Sequence, residues 1–263
     1  MQNAFAILYV ASGPRYIEEA VRSARSCRAR MPQHKIVLLT PDDASNPIFD
    51  EIIRFGSDVA DPFLLKIAGI AAADLDRFVF LDTDTYLLDD ISELAALLDR
   101  FDIAAAHAPI RLQSNIWPET REFLEEIPVC FPEFNTGVIG MRNSPQLRAM
   151  LNDWKAGYEA HMRSARPPRT QDQASFRSAI YRSNLRIATL PPEYNCRLLY
   201  PASVCGTVKL LHAHGDDALL DQIGQVINRR RGFRIVAREE FLTNSVVIRD
   251  QNSAASRLPK GQG

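Results

Sequence analysis

Three short apolar runs, each closed by a polar turn, constrain this chain more than any other feature. They are Ala4–Val10, Lys35–Thr40 and Arg77–Leu81. Runs of this length bounded by turn residues read as strands buried on both faces. Between the first two, Tyr16–Arg30 carries Ile17, Ala20, Val21 and Ala24 at helical spacing, which puts Arg22, Arg25, Arg28 and Arg30 largely on the outer side. Ile48–Phe55 reads as a further strand, and Asp61-Pro62 opens a helix over Phe63–Ala73. Such alternation specifies an α/β protein, and ligands in these sheets bind beyond the carboxyl ends of the strands.

The rest of the chain continues the pattern. Helices are expected over Ile91–Leu98, from Ser144-Pro145 to Tyr158, and from Gln171-Asp172-Gln173 to Tyr181. Strands are expected over Phe101–Ala106, Phe134–Met141, Arg186–Leu190 and Val208–His212, with Phe233–Ala237 and Val246–Ile248 as a late hairpin or edge strands. The proline-bearing stretch 107–132 and the basic loop Arg163–Arg169 read as acceptor-binding or lid segments. The polar tail 251–263 reads as disordered.

Composition removes several function classes. Lys plus Arg total 31 against 32 Asp plus Glu, a net charge of −1, which argues against nucleic acid as a partner. The first apolar run is too short for a membrane span or an export signal. Cys27, Cys130, Cys196 and Cys205 show no zinc-like or CxxC spacing, so they read as reduced thiols of a cytoplasmic protein. Arg229-Arg230-Arg231 with Arg234 leaves peripheral contact with anionic lipid on the inner membrane face open.

The chemistry centres on Asp82-Thr83-Asp84, directly after the third apolar run. Strand side chains alternate, so both carboxylates point to one side. Two like charges held close are costly to keep ionised. A divalent cation relieves that cost and takes oxygen ligands. The plainer alternative is a polar turn in which each Asp caps backbone groups. Two enzyme classes use such a pair. In phosphatases of the haloacid dehalogenase type, Asp82 would be the nucleophile. His212 to Asp217, with Asp221, resembles their late acidic motif, and Lys209 would be the phosphate-binding lysine. The β-α-β-α pattern ahead of Asp82 speaks against this, because that class carries its first motif on the first strand.

Over most of its length the chain resembles the other class, the nucleotide-sugar glycosyltransferases of the GT-A fold, and glycosyltransferase family 8 (glycogenin-like retaining enzymes) in particular. Five pieces in order carry the resemblance. Lys66 precedes the Phe-Leu-Asp-Thr-Asp strand. Phe134-Asn135-Thr136-Gly137-Val138 is similar to an Asn-(Ala/Ser)-Gly-Val segment. Gln171-Asp172-Gln173 is similar to an Asp-Gln segment opening a helix. Leu190-Pro191 with Tyr194-Asn195, and Lys209 to Gly215 with its His-x-x-Gly, complete the set. The resemblance implies a single GT-A-like catalytic domain over 1–250, with a mixed, mostly parallel sheet flanked by helices. Residues 1–106 would form the nucleotide half and 107–250 the sugar and acceptor half.

The resemblance also assigns a site. Asp82, Asp84 and His212 would ligate Mn²⁺, with Mg²⁺ as the alternative. Ala11 and Ser12, with Tyr16, would meet the base. Lys66 would contact donor sugar or phosphate. Thr83 and Gly215 would lie in the donor site. Asn135, Gly137 and Asp172 would line the sugar, and Gln173 would lie at the reacting face, positioning the sugar rather than attacking it. The implied reaction moves a sugar from a nucleoside-diphosphate donor, a UDP-sugar, to a hydroxyl acceptor with retention of configuration. An inverting enzyme would need a carboxylate base, for which Asp153, Glu159 and Asp172 are the candidates.

Two departures stand out. The family's Lys-Pro-Trp after His-x-x-Gly, whose lysine holds the diphosphate, is replaced by Asp216-Asp217. Of the 31 basic residues only five are lysine and 26 are arginine, so an arginine is the natural replacement: Arg15, Arg197 or one in Arg163–Arg169. The acidic residue usual after the Ala is here Ser12. A non-catalytic protein that binds a nucleotide sugar is the further alternative these departures suggest.

Overall fold

Strands and helices alternate as the apolar runs require. The computed structural model describes residues 5–56, 59–109, 127–163 and 171–237. The strand expected at 246–248, the tail 251–263, most of the proline-bearing stretch and all but Arg163 of the basic loop lie outside them. The first half contains β1 (Ala6–Val10), α1 (Pro14–Arg30), β2 (Lys35–Thr40), β3 (Glu51–Arg54), α2 (Pro62–Ala72), β4 (Arg77–Leu81), β5 (Thr85–Leu87), α3 (Leu94–Leu98) and β6 (Ile103–His107). The second contains β7 (Phe134–Arg142), α4 (Pro145–Met162), α5 (Gln173–Arg182), β8 (Ile187–Leu190), β9 (Cys196–Arg197), β10 (Ala202–Val204), β11 (Leu210–His212), α6 (Asp217–Asn228) and β12 (Arg234–Val236).

The main sheet has seven strands in the order β3-β2-β1-β4-β7-β6-β8, and β7 alone runs antiparallel to its neighbours. Alternation along β1 shows why the strands are apolar throughout. Ile7 and Tyr9 pack with α1 and α3 on one face, while Ala6, Leu8 and Val10 pack with α2, α4 and α5 on the other. Helix starts follow local chemistry. Asp61 accepts from Leu64 N–H (2.8 Å) and Ser144 from Leu147 N–H (3.1 Å), each followed by a proline in the first turn.

Asp102 clasps three strands of this sheet. Its carboxylate takes Arg142 Nη2 at the end of β7 (2.5 Å) and the backbone N–H of Arg186 just before β8 (2.9 Å). Burial alone would raise this carboxyl, but the Arg186 and Arg142 contacts hold it down at about 2. The folded value lies below the unfolded one, so the clasp stabilises above the unfolded pKa of about 3.9 and is lost as pH falls through 2. We expect Asp102→Asn to cost about 1–3 kcal/mol at pH 7. Urea titrations of mutant and wild type should converge as pH drops below that range.

A second, three-stranded sheet, β5-β11-β9, and a pair, β10-β12, stand beside the main one. β5, β9, β10 and α6 are absent from the sequence expectations. The three strands span two or three residues each, too few for a period to show. The acidic pair that opens α6 proves to be helix chemistry: Asp216 accepts from Leu219 N–H (2.8 Å), and Asp217 sits in the first turn. Arg234, grouped above with a lipid-facing run, is half-buried and donates to carbonyls of Ile227, Gly232 and Gly206. Arg229, Arg230 and Arg231 are exposed. No helix among the described residues is long and apolar enough to cross a membrane.

Candidate active site

The two sheets meet where β4 ends. Beyond Leu81 the chain turns through Asp82-Thr83-Asp84 into β5. Asp82 N–H donates to Gly137 O on β7 (2.7 Å), and the Thr85 hydroxyl donates back to Asp82 O (2.8 Å). β5 pairs antiparallel with β11, which sets Thr85 opposite His212, and Ala213 N–H donates to Asp84 O (2.8 Å). β11 pairs in turn with β9, setting His212 beside Arg197. The small sheet thus carries a late histidine and arginine to the carboxylate turn.

The result is a compact donor set. His212 Nε2 lies 3.3 Å from Asp84 Oδ1 and 3.8 Å from Asp82 Oδ2. One ligand atom from each of the three residues falls within 4.8 Å of the others. Both His212 distances are within the span that a single ion with bonds of roughly 2.0–2.3 Å can bridge. Two carboxylate oxygens and an imidazole nitrogen suit a divalent cation of intermediate hardness. Gly137 makes the approach possible: a Cβ there would stand 2.2 Å from His212 Cε1 and 2.8 Å from Asp82 Oδ2.

Electrostatics separate the two carboxylates. Burial pushes Asp82 up; Lys66 opposes that and the neighbouring Asp84 adds to it. Burial would raise Asp84 as well, but the neighbouring His212 and His214 hold it well below the usual range. Lys66 is buried, and its own pKa is raised. Desolvation works against its charge, and Asp172 and Asp82 outweigh that. Its Nζ sits 2.6 Å from Asp172 Oδ2 and 3.5 Å from Asp82 Oδ1, and donates to the Thr136 hydroxyl at 3.2 Å. Thr136 Oγ1 donates to Asp172 Oδ1 (2.7 Å). Lys66 is therefore a buried bridge between two carboxylates.

A cavity of about 560 Å³ opens over this set, a size typical of small-molecule sites. Ala11, Ser12, Lys66, Asp82, Thr83, Asp84, Asn135, Asp172, Gln173 and His212 all line it. Gly137 lies behind His212. Gly215 is not brought into this cavity. It borders a neighbouring concavity, where its carbonyl accepts from Arg22. Gln173 Nε2 donates to Gln171 Oε1 (3.0 Å), while its buried Oε1 has no hydrogen-bond partner among the described residues. Of the arginines considered for the diphosphate, Arg197 lines the cavity, its guanidinium 5.3 Å from the Tyr200 ring centroid. Arg15 is exposed beside Glu19, at 3.6 Å. Lys209, the phosphatase reading's phosphate lysine, is outside the cavity lining and pairs with Glu93.

Three residues of the site escape sequence reasoning. Glu19 accepts from the Thr83 hydroxyl (3.2 Å) and faces His214 Nδ1 (3.3 Å). Thr136 joins Lys66 to Asp172. Arg22 corrects an expectation: it is half-buried, not outward, and donates to the carbonyls of Gly215 and Thr83. Ser23 and Ser26 are buried along with the apolar residues of α1. The inward arc is therefore wider than apolar spacing shows, and Arg22 falls at its edge.

No protein-family model matches this sequence, and no curated protein matches it. Solved structures do. The galactosyltransferase LgtC, in complex with donor and acceptor sugar analogs, superposes with a TM-score of 0.52 at 11% identity, covering 91% of this chain and 100% of that one. An active-site glutamine-to-glutamate mutant of LgtC gives 0.52 at 13% identity over 80% and 87%. Mouse xyloside xylosyltransferase 1 gives 0.51 at 15% identity over 80% and 98%. Together with the sheet order and flanking helices, these place the chain in the GT-A glycosyltransferase fold.

Proposed function

We propose that this chain transfers a sugar from a nucleoside-diphosphate donor, a UDP-sugar, to a hydroxyl acceptor, with Mn²⁺ (Mg²⁺ as the alternative) held by Asp82, Asp84 and His212. The observation that carries the reading is the convergence of two carboxylates and an imidazole nitrogen in the floor of a cavity large enough for such a donor. A bound divalent cation supplies the positive charge against which a leaving diphosphate develops its own. The chain's residues do the rest. Arg197 offers a second cation to the diphosphate, in the role the absent Lys-Pro-Trp leaves open. Ala11, Ser12 and Tyr16 receive the base. The carbonyl oxygen of Gln173 accepts from a sugar hydroxyl, and Asn135 and Asp172 lie close by in the same wall.

Retention is the stereochemical outcome this arrangement favours. Of the three possible inverting bases, only Asp172 lines the cavity, and both its oxygens are engaged by Lys66 and Thr136. We read 1–250 as one catalytic domain; residues before 106 and after 107 both line the cavity, which supports that reading. We assign the protein to the cytoplasm, where its four free cysteines would stay reduced.

A panel of nucleotide sugars assayed with Mn²⁺ tests the proposal by slow donor hydrolysis, alongside a phosphomonoester. Metal-dependent hydrolysis of one donor supports it. Phosphate release from the monoester without nucleotide affinity sinks it in favour of an Asp82 phosphatase, a reading disfavoured by Lys209, which pairs with Glu93 outside the cavity lining. Tight nucleotide-sugar binding with no turnover would make the chain a binding protein. We expect Arg197→Ala to weaken UDP binding about 10–100-fold in calorimetry, the worth of one charge-assisted contact, while Mn²⁺ affinity without nucleotide stays unchanged.

A further inference from the structure

The hydrogen bonds behind His212 form a chain whose direction is set at one end by the backbone. Gly137 N–H donates to Asn135 Oδ1 (3.0 Å). A backbone N–H only donates, so the amide atom facing it must be oxygen. That oxygen also accepts from Asn195 Nδ2 (2.7 Å). The Asn195 amide is thereby oriented with its own oxygen on the far side, 2.9 Å from His212 Nδ1. An amide oxygen only accepts, so Nδ1 must carry the hydrogen. Reversing Asn135 would set its N–H groups against those of Gly137 and Asn195, and reversing Asn195 would set its oxygen against that of Asn135, each a lost hydrogen bond in a buried place. Asn135, Asn195 and His212 are all at most 6% exposed.

We propose that the Gly137–Asn135–Asn195 chain is a tautomer lock. It fixes hydrogen on Nδ1 of His212 and so turns the lone pair of Nε2 towards Asp82 and Asp84. Asn195 and Asn135 are positioning residues, acting on the cation through the imidazole. The alternative neutral tautomer would place N–H on Nε2, 3.3 Å from Asp84 Oδ1. That ring would donate to the carboxylate and fill the ligand position itself. Metal-binding histidines commonly have the second nitrogen held by a carboxylate or a carbonyl. Here a neutral amide does so, and it adds no negative charge to a site that already holds Asp82, Asp84 and Asp172. The role of the lock in cation binding rests on the metal reading of the site; the tautomer itself does not.

The experiment separates the two. Long-range ¹H–¹⁵N spectra of the ¹⁵N-histidine-labelled, metal-free protein, taken at a pH where the imidazole is neutral, are expected to show a protonated Nδ1 and a bare Nε2 for His212. An Nε2–H ring overturns the lock whatever the protein binds. Asn195→Leu is expected to release the tautomer and lower Mn²⁺ affinity, read by calorimetry without nucleotide, about 10–100-fold. Asn135→Asp keeps an acceptor for both Gly137 N–H and Asn195 Nδ2, and is expected to keep Nδ1–H even as donor binding suffers. Loss of Nδ1–H in that variant, or unchanged Mn²⁺ affinity in a folded Asn195→Leu with a released ring, counts against the lock. Should Asn195→Leu not fold, the wild-type and Asn135→Asp spectra decide. A wild type with Nδ1–H but no Mn²⁺ affinity overturns the metal reading while the tautomer assignment stands.

Discussion

Asp84→Asn is expected to abolish metal-dependent hydrolysis of the nucleotide sugar while the protein stays folded. The substitution keeps shape but removes one charged oxygen ligand. The carboxylate is also the one that faces His212 most closely, at 3.3 Å. A cation stabilising charge on the leaving group is worth several kcal/mol, so the loss in kcat should be roughly a thousandfold or more. Asparagine also gives up the attraction by which His212 and His214 hold the Asp84 carboxylate ionised in the folded chain. Thermal melts of the metal-free variant should therefore stay cooperative and fall modestly below the wild type. A variant that retains more than about a tenth of wild-type turnover, a cost of only 1.4 kcal/mol, would sink the metal-centred mechanism.

Gly137→Ala should be as damaging from the opposite side. The φ of Gly137 is not the reason, because it lies outside the left-handed region. Space is the reason. The added methyl would stand 2.2 Å from His212 Cε1, far inside contact distance, and 2.8 Å from Asp82 Oδ2. Either the imidazole leaves or β7 shifts away from β4, and β7 is held to β4 by a continuous antiparallel ladder. Overpacking of this kind costs about 1–3 kcal/mol in stability. Expelling His212 removes a ligand, so Mn²⁺ binding should fall below detection in calorimetry. Wild-type Mn²⁺ affinity in Gly137→Ala would show that His212 is not a ligand.

The legible parts of this fold were those carried by runs of one residue class. The apolar runs around Leu8, Val37 and Val79 announced the central strands because a strand buried on both faces must be apolar throughout. The pairs Asp61-Pro62 and Ser144-Pro145 announced helix starts because capping and a fixed φ act within a single turn. The carboxylate pair announced itself by following a strand. His212 was reachable only through the ordered resemblance to a family, since its meeting with Asp84 depends on the β5–β11 pairing, which spans three residues. Asn195 was visible as part of a motif, but its service to His212 was not, because a hydrogen-bond direction is settled only when Gly137 supplies the first donor. Arg22 was read the wrong way round for lack of apolar neighbours to mark its side of the helix.

The three-stranded sheet has a consequence for how the molecule holds together. It is the place where the stretch just after β4 and the segment around Cys196–His212 are stitched to each other. A cation at Asp82, Asp84 and His212 would cross-link these two stretches of chain at the cost of no covalent bond. By mass action, cation at a hundred times its dissociation constant adds about 2.7 kcal/mol to the folded state. That gain should fall first on the late segment, whose short strands give it the weaker local hold. The protein would then be stiffest when loaded. Amide exchange in β9 and β11, measured with and without Mn²⁺, would report it one backbone N–H at a time.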